Sequence, residues 1–255
     1  MHRSIQLLPL PDFPLVEPGD DLIRYILQSL HRAKIALVDG DLLVVAQKIV
    51  SKAENRFAYL NEVVPGAEAV ALAGSIHKDP RLVELILSES VEVLRQRQGV
   101  MIVEHRLGYV HANAGIDQSN IASDSANPRV LLLPKNPDQS AAMLRSRLKS
   151  ETGADIAVII NDTSGRAWRN GVVGFAIGTA GFEPLVNLIG HPDLYGRRLE
   201  ATQVAVADEL AAAASFLMGQ ADDSVPVVLV RGARLRRSES GSRTLIRVRN
   251  EDLFR

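Results

Sequence analysis

The chain contains no cysteine. It can therefore form no disulfide, no thiolate metal site and no cysteine nucleophile. The formal net charge is -1 at pH 7, so no overall field attracts nucleic acid or an anionic membrane surface. No apolar run is long enough to cross a bilayer, and residues 1–14 show no signal-peptide pattern. These absences predict a compact cytoplasmic protein with neither nucleic-acid nor membrane partners.

Several motifs of nucleotide and metal enzymes are missing as well. There is no Walker A pattern, and the glycines of residues 174–181 lack the dinucleotide fingerprint. Neither H-E-x-x-H nor G-x-S-x-G occurs. The 6 histidines show no metal-ligand spacing. Any nucleotide or metal site must therefore be of another kind.

What the chain does have is a core-forming composition, 46% hydrophobic, and alternating helix and strand patterns. This alternation predicts a mixed α/β (α+β) fold. Strands are predicted at residues 5–10, 42–46, 100–103, 109–112, 130–133, 156–160, 171–181 and 225–230. Helices are predicted at residues 22–30, from 80 through 93, and at 138–148 and 202–218.

The apolar run at residues 156–160 is the pivot of the pattern, because a polar segment follows it directly. Residues 161–165 read as a polar turn rich in oxygen donors, and Arg166 and Arg169 come next. Carboxylate and hydroxyl oxygens suit a hard cation such as Mg²⁺. Arginine forks match phosphate oxygens. The segment therefore predicts a site for a metal-bound phosphate.

Other polar groups follow predicted strands or helices in the same way, namely Lys52, Asp117 with Asn120, Asp162 with Thr163, and Gln220 with Asp222 and Asp223. Each has a plainer interpretation. The aspartates Asp117 and Asp162 could hold turns, Lys52 and the two arginines could lie on the surface, and Gln220 could be structural. Glu89 and Glu92 read as a solvated helix face, and Trp168 as a packing residue.

Longer motifs distinguish these interpretations. The segment A-N-A-G-I-D-Q-S-N spans residues 112–120, and L-L-L-P at 131–134 precedes P-D-Q-S-A at 137–141. D-T-S-G-R at 162–166 precedes W-R at 168–169, and M-G-Q stands at 218–220. In these motifs, over nearly its whole length, the chain resembles the coenzyme F420-0:L-glutamate ligase family, the F420 γ-glutamyl ligases.

This resemblance implies a GTP-dependent ligase of coenzyme F420 biosynthesis. Such an enzyme would join L-glutamate to the phospholactate carboxylate of F420-0 through an acyl phosphate, then extend a γ-linked tail. The family resemblance also implies a cytoplasmic homodimer built from one unit over residues 1–255, without a C-terminal flavin domain. Two subdomains would flank the active site, at about 1–100 plus 190–255 and at about 101–189.

The resemblance also assigns roles to residues. Catalytic roles fall to Asp117, Asp162, Lys52 and Arg166, and metal binding to Asp117, Asp162, Thr163 and Gln220. The nucleotide would contact Phe13, Pro14, Leu15, Val16, Gln47, Lys48, Lys52, Asn120, Met218, Gly219, Gln220, Ala221, Asp222, Asp223, Ser224 and Val225. Two Mg²⁺ or Mn²⁺ ions are implied, with K⁺ as a further cation.

The chain departs from the commonest family residues at Asn55, His111, Asn161, Ser164 and Ala167. None of these departures removes a primary ligand. Two alternatives stay open. One is a ligase of the same fold that glutamylates a different phosphorylated acid. The other is a GTP- or GDP-binding module without catalysis.

Overall fold

The structure, a computed structural model, describes residues 4–253. It is a mixed α/β fold, as predicted. The outermost ends of the predicted unit, residues 1–3 and 254–255, lie outside the described residues. None of the helices found between residues 4 and 253 is both long enough and apolar enough to cross a membrane.

The longer helices are α1 (Leu22–Arg32), α2 (Gln47–Ala53), α3 (Ala67–Ile76), α4 (Pro80–Ser88), α5 (Pro137–Thr152) and α6 (Val206–Met218). The strands are β1 (Gln6–Pro9), β2 (Leu42–Ala46), β3 (Phe57–Tyr59), β4 (Ser90–Arg97), β5 (Val100–His105), β6 (Val110–Ala112), β7 (Arg129–Leu131), β8 (Ala157–Arg166), β9 (Arg169–Ala180), β10 (Val186–Asn187), β11 (Gln203–Val204) and β12 (Val227–Arg231).

The central sheet has five strands in the order β1-β12-β2-β8-β9. Strands β2 and β8 are parallel, and Ala46, the last residue of β2, pairs with Asn161 on β8. Strand β2 therefore ends beside Asn161, and β8 continues past this point. Gln47 begins α2 there, beside Asp162, which follows Asn161 on β8. This pairing brings two distant parts of the sequence to one place.

Both faces of the central sheet are covered, which explains why β2 is apolar at successive positions. Leu43 and Val45 join the core beneath α1 and α5, and Leu42 and Val44 join the core beneath α6. The alternation of side chains along a strand produces this division. Helix α6 is rich in alanine, so it can lie close to the sheet.

The helix ends have local causes. The Asp21 side chain accepts a hydrogen bond from the Ile23 backbone N–H and caps α1. Asn136 caps α5, and Pro137 occupies its first turn, where a missing N–H costs nothing. Gly153 ends α5 in the left-handed region at φ 76°. These ends fix the direction in which the chain enters and leaves the central layers.

A separate apolar cluster joins α3 and α4 to the three-stranded sheet β4-β5-β6. Strand β3 pairs with β7, and the chain leads from β6 to β7 through the segment that contains Asp117. The backbone of Asp117 pairs with Leu131, with both N–H···O distances 2.9 Å. Asp117 is thus held by a strand and not by a free loop.

Three local predictions were wrong. The predicted polar turn at 161–165 is strand, because β8 continues to Arg166 and pairs with β9 along that length. Helix α4 ends at Ser88, so neither Glu89 nor Glu92 lies on a helix face. Residues 202–205 are not helical, since α6 begins at Val206. Successive polar side chains on a strand imitate a turn in sequence.

Candidate functional site

A cavity of about 600 Å³ opens at the carboxyl edge of β2 and β8. The segment before α1, the start of α2, the loop after β6, the middle of β8 and the end of α6 all contribute to its wall. Of the predicted site residues, the wall contains Phe13, Pro14, Leu15, Val16, Gln47, Lys48, Lys52, Asp117, Asn120, Asp162, Thr163, Met218, Gly219, Gln220, Ala221, Asp222, Ser224 and Val225. Predictions from five separate segments therefore converge on one cavity.

Asp162 lies on β8 just past its parallel pairing with β2. Its Oδ1 accepts a hydrogen bond from the Thr163 backbone N–H at 2.8 Å, and its Oδ2 lies 3.2 Å from Nε2 of His111. The side chain is largely buried, at 13% exposed. Each carboxylate oxygen therefore already has one hydrogen-bond donor, and its second lone pair is free.

His111 lies on β6, and its ring is buried. Burial is the largest influence on its pKa and acts to lower it. The hydrogen bond and the negative charge of Asp162, together with the Ala112 carbonyl, outweigh burial, so the pKa of His111 is raised above its ordinary value. The Asp162 carboxylate thus stabilises a positive charge on the imidazole.

Asp117 carries a different set of partners. Its Oδ1 accepts hydrogen bonds from the Ser119 backbone N–H at 2.9 Å and from the Ser119 hydroxyl at 2.8 Å. This is the turn that the plainer interpretation of Asp117 predicts. The other oxygen, Oδ2, lies 2.7 Å from Nζ of Lys48. The same carboxylate thus holds its own loop and forms an ion pair at the cavity wall.

The two lysines of α2 lie along one side of the cavity. Nζ of Lys52 donates to the Asn120 carbonyl at 2.9 Å, and the Asn120 side-chain amide donates to the Ala221 carbonyl at 2.9 Å. Burial lowers the pKa of Lys52, and the nearby positive charge of Lys48 lowers it further. This chain of hydrogen bonds links three segments across the cavity.

The segment after α6 is held by its own side chains. Nε2 of Gln220 lies 3.4 Å from Oγ of Ser215. Gly219 has φ 70°, and a Cβ there would lie 1.8 Å from Oδ2 of Asp223, so no other residue fits this turn. Asp223 is therefore folded back against its own segment and is not part of the cavity wall.

Arg166 is the predicted catalytic residue that the structure does not bring to the cavity. It lies exposed at the tip of the β8–β9 hairpin, where its guanidinium donates to the Asn170 carbonyl at 3.4 Å. Trp168, predicted to pack, is 86% exposed on the same tip. Because β8 runs on as a strand, Arg166 is carried away from Asp162 along the strand axis.

The cavity also contains residues that sequence reasoning missed, among them Asn161 and Ser215. His111 was dismissed because no other histidine stands at ligand spacing from it. Its role depends on β6 lying against β8, a contact between strands that are about fifty residues apart in sequence. No local pattern signals such a contact.

The donor set fits a hard divalent cation. Asp117 and Asp162 supply carboxylates, Thr163 a hydroxyl and Gln220 an amide oxygen, all on one cavity wall. Between residues 4 and 253, no cluster of three or more His, Cys, Asp or Glu side chains forms a complete metal cage. Mg²⁺ is commonly held by one or two carboxylates, with substrate phosphates completing its shell. An ion that arrives with a nucleotide therefore suits this set.

Comparison with known proteins decides the family. The sequence model described as F420-0:Gamma-glutamyl ligase matches residues 12–232. The chain belongs to this family. All five segments of the F420-0:gamma-glutamyl ligase cavity wall lie within the matched range, from Phe13 to Val225. The resemblance inferred from the sequence motifs is thereby confirmed.

Curated relatives in this ligase family match over almost their full length. A protein named coenzyme F420:L-glutamate ligase from Methanothermobacter thermautotrophicus is 48% identical over 255 residues, covering 99% of both chains. Proteins of the same name from Methanocaldococcus jannaschii and Methanopyrus kandleri are 41% and 43% identical, each covering 99% of this chain and 98% of its own length.

Proposed function

We propose that the protein is a GTP-dependent ligase that adds L-glutamate to F420-0 through an acyl phosphate and then extends a γ-linked tail. The family and the names of its relatives support the substrates. The observation that carries the proposal is the convergence of Asp117, Asp162, Lys48 and Lys52 on one cavity beside the end of β2. Two carboxylates and two ammonium groups provide what a metal-bound triphosphate requires.

The nucleotide would lie against the residues 13–16, the start of α2 and the segment 218–225. Met218 and most of the residues that follow it to Val225 line the cavity, as do Phe13 and Val16. The lysines Lys48 and Lys52 would face the phosphates. A cavity of about 600 Å³ is within the usual range for small-molecule sites.

Asp117 and Asp162 would hold one Mg²⁺ or Mn²⁺, and Thr163 and Gln220 a second. When bound, these ions supply positive charge to the phosphoryl group in transit. K⁺ is proposed as a further cation on the strength of the family resemblance alone. The protein's own contribution is to hold the two carboxylates at one cavity by hydrogen bonds and to place Lys48 and Lys52 at the same cavity.

The reaction would proceed in two balanced steps. An oxygen of the substrate carboxylate attacks the γ-phosphorus of GTP, the bond to the bridging oxygen breaks, and GDP leaves. The amine of L-glutamate then attacks the acyl carbon and loses a proton, and inorganic phosphate leaves with the former carboxylate oxygen. Phosphorylation is needed because a carboxylate has no acceptable leaving group of its own.

Lys52 is suited to stabilising charge during phosphoryl transfer, because it already lies at the cavity with a single backbone partner.

Arg166 could act only if the β8–β9 hairpin bends toward the cavity. Its proposed catalytic role is tested by Arg166→Ala, with Arg169→Ala on the same hairpin as the matched control. A loss of turnover confined to the first variant would support the role.

The decisive assay follows mass. Purified protein is incubated with F420-0, L-glutamate, GTP and Mn²⁺, and products are resolved by mass spectrometry. Products that gain one or more glutamates, and that vanish without GTP or metal, are expected. Phosphate release that requires glutamate but leaves F420-0 unchanged would point to a different phosphorylated acid. Bound nucleotide without turnover on any acid would point to a binding module.

The assembly and subdomain bounds belong to the same proposal. A homodimer with its active sites between two subdomains is expected from the family resemblance, and light scattering at assay concentration would report the mass directly. A monomeric mass of 27.7 kDa under turnover conditions would contradict the dimer. Limited proteolysis near residues 100 and 190 would test the subdomain bounds.

A further inference from the structure

The contact between His111 and Asp162 is absent from the proposed reaction, yet it fixes one of the two carboxylates. Nε2 of His111 lies 3.2 Å from Oδ2 of Asp162. An ionised carboxylate can only accept, so the imidazole is the donor. Within residues 4–253, no other side chain is found at hydrogen-bond distance from an Asp162 oxygen. The hydrogen bond to Oδ1 comes from the backbone N–H of Thr163.

The imidazole is itself held firmly from behind. Its Nδ1 lies 3.0 Å from the Ala112 carbonyl, and its ring packs against Phe175 with a centroid distance of 5.7 Å. Phe175 is the cross-strand partner of Asp162 in the β8–β9 ladder. Histidine, phenylalanine and aspartate therefore form one packed unit that spans β6, β8 and β9. His111 is only 8% exposed, so its ring has little room to turn.

The packed unit of His111, Phe175 and Asp162 restrains the Asp162 carboxylate and leaves lone pairs on it for a ligand. One donor occupies each carboxylate oxygen, and each oxygen keeps one lone pair for another partner. A carboxylate held at both oxygens cannot rotate about its terminal bond without losing a hydrogen bond. The Thr163 N–H alone would oppose that rotation with a single hydrogen bond. His111 adds a second anchor on the other oxygen.

Asp117 offers a useful contrast. Its cavity-side partner is Lys48, whose ammonium is on a flexible stem and partly exposed. A lysine can move to a phosphate when nucleotide arrives, whereas the His111 ring cannot leave Asp162 without disturbing Phe175 and the Ala112 carbonyl. The partners of the two Oδ2 atoms therefore differ in mobility, although Ser119 holds Oδ1 of Asp117 as well.

We propose that His111 is a positioning residue, which locks the Asp162 carboxylate in the orientation that binds the divalent cation. The inference rests on the proposed function only in placing a divalent cation at Asp162. Loss of a hydrogen-bonded partner behind a metal ligand typically weakens metal affinity about 10- to 100-fold. The structure assigns that supporting place to His111.

The test measures Mn²⁺ affinity and not turnover. Free Mn²⁺ is titrated by electron paramagnetic resonance against the full-length wild type, His111→Ala and His111→Gln, each with the non-hydrolysable guanosine triphosphate analogue present. Glutamine can still place an N–H near the position of Nε2. His105→Ala is the matched control, because His105 is 1% exposed and contacts Glu89 instead of a cavity residue.

His111→Ala is expected to weaken Mn²⁺ binding about tenfold, with His111→Gln restoring affinity to within about threefold. His105→Ala should bind Mn²⁺ as the wild type does, even if it unfolds at lower temperature. Equal affinity in His111→Ala and wild type would overturn the positioning role. So would a loss of the same size in His105→Ala, because that would mark general destabilisation.

The same titration separates this role from the proposed function. If the wild type binds Mn²⁺ but never glutamylates F420-0, and His111→Ala weakens that Mn²⁺ binding, the proposed reaction fails and the positioning role stands. If the wild type glutamylates F420-0 but His111→Ala loses no Mn²⁺ affinity, the positioning role fails alone. If the wild type binds no Mn²⁺ at all, both are overturned.

Discussion

Gly174 is the position at which fold and cavity depend most directly on each other. It lies on β9 where α6 crosses the sheet, opposite Thr163. A Cβ placed on it would lie 2.5 Å from Cβ of Ser215, 2.7 Å from the Ala211 carbonyl oxygen and 2.7 Å from Oδ1 of Asn161. Non-bonded carbon atoms prefer about 3.5–4.0 Å. Gly174→Ala therefore demands a shift of α6 by roughly 1 Å, judged from that difference.

The cost follows from this shift. Overpacking a well-filled core costs about 1–3 kcal/mol, which in a chain of this size lowers Tm by roughly 2–4 °C for each kcal/mol. Activity should suffer more than stability. Ser215 and Gln220 lie at the end of α6 that moves, and a misplacement of about 1 Å can reduce turnover by about 100-fold.

Gly165→Ala is the matched control for Gly174→Ala. Gly165 is also a strand glycine, on β8, but nothing lies within 4 Å of its would-be Cβ. The unfolding free energy of Gly165→Ala should stay within about 0.5 kcal/mol of the wild-type value. Urea unfolding and steady-state glutamylation of both variants provide the measurement. If Gly174→Ala retained wild-type stability and turnover, the close approach of α6 to the sheet would be refuted.

Further predictions concern single charged groups. Asp162→Asn should reduce glutamylation by about 100-fold or more while circular dichroism shows an unchanged fold; turnover within a few-fold of wild type would contradict the assignment. Lys48→Met frees Oδ2 of Asp117, so Mn²⁺ binding without nucleotide should tighten about fivefold, the equivalent of about 1 kcal/mol, while GTP binding weakens; titration of each ligand checks both directions. Glu89→Gln leaves the buried guanidinium of Arg56 without its countercharge and should cost about 3 kcal/mol at pH 7 in urea unfolding. Burial alone would raise the pKa of Glu89, but its donors hold that pKa below the usual value. Its charge therefore stabilises the fold fully above the ordinary glutamate pKa of about 4.3, and the difference between Glu89→Gln and wild type should shrink as the pH falls through the lowered pKa of Glu89; a difference that stayed constant with falling pH would contradict this.

Where a sequence pattern is local, the fold could be predicted closely. Strand β2 coincides with its predicted residues 42–46, because five successive apolar residues next to Gly40 have few alternatives. The start of α1 at Leu22 also coincides with its prediction, because the helical apolar pattern begins at that residue. Helices α2 and α3 were not predicted. Their helical conformation is favoured by packing against other elements, which a short window of sequence does not show.

The cavity shows the same division at the level of single residues. The place of Asp117 and Asp162 at the cavity could be predicted, because each lies in a polar segment next to an apolar run. The place of Phe13 at the cavity was predicted from the family resemblance. His111 could not be predicted, since only the packing of β6 on β8 brings it to Asp162. Arg166 was placed at the site on the assumption that β8 ends at Ile160. The strand continues, and so its arginine lies elsewhere.

The central claim is that this cavity transfers a phosphoryl group from GTP to the substrate carboxylate before glutamate attacks. It is tested most directly with F420-0 carrying ¹⁸O in that carboxylate, by mass analysis of the phosphate released during glutamylation. The account predicts one ¹⁸O atom in the phosphate released with the first glutamate added to each fully labelled F420-0, because that carboxylate oxygen departs with phosphorus. Product carrying a single added glutamate and accompanied by unlabelled phosphate would contradict it.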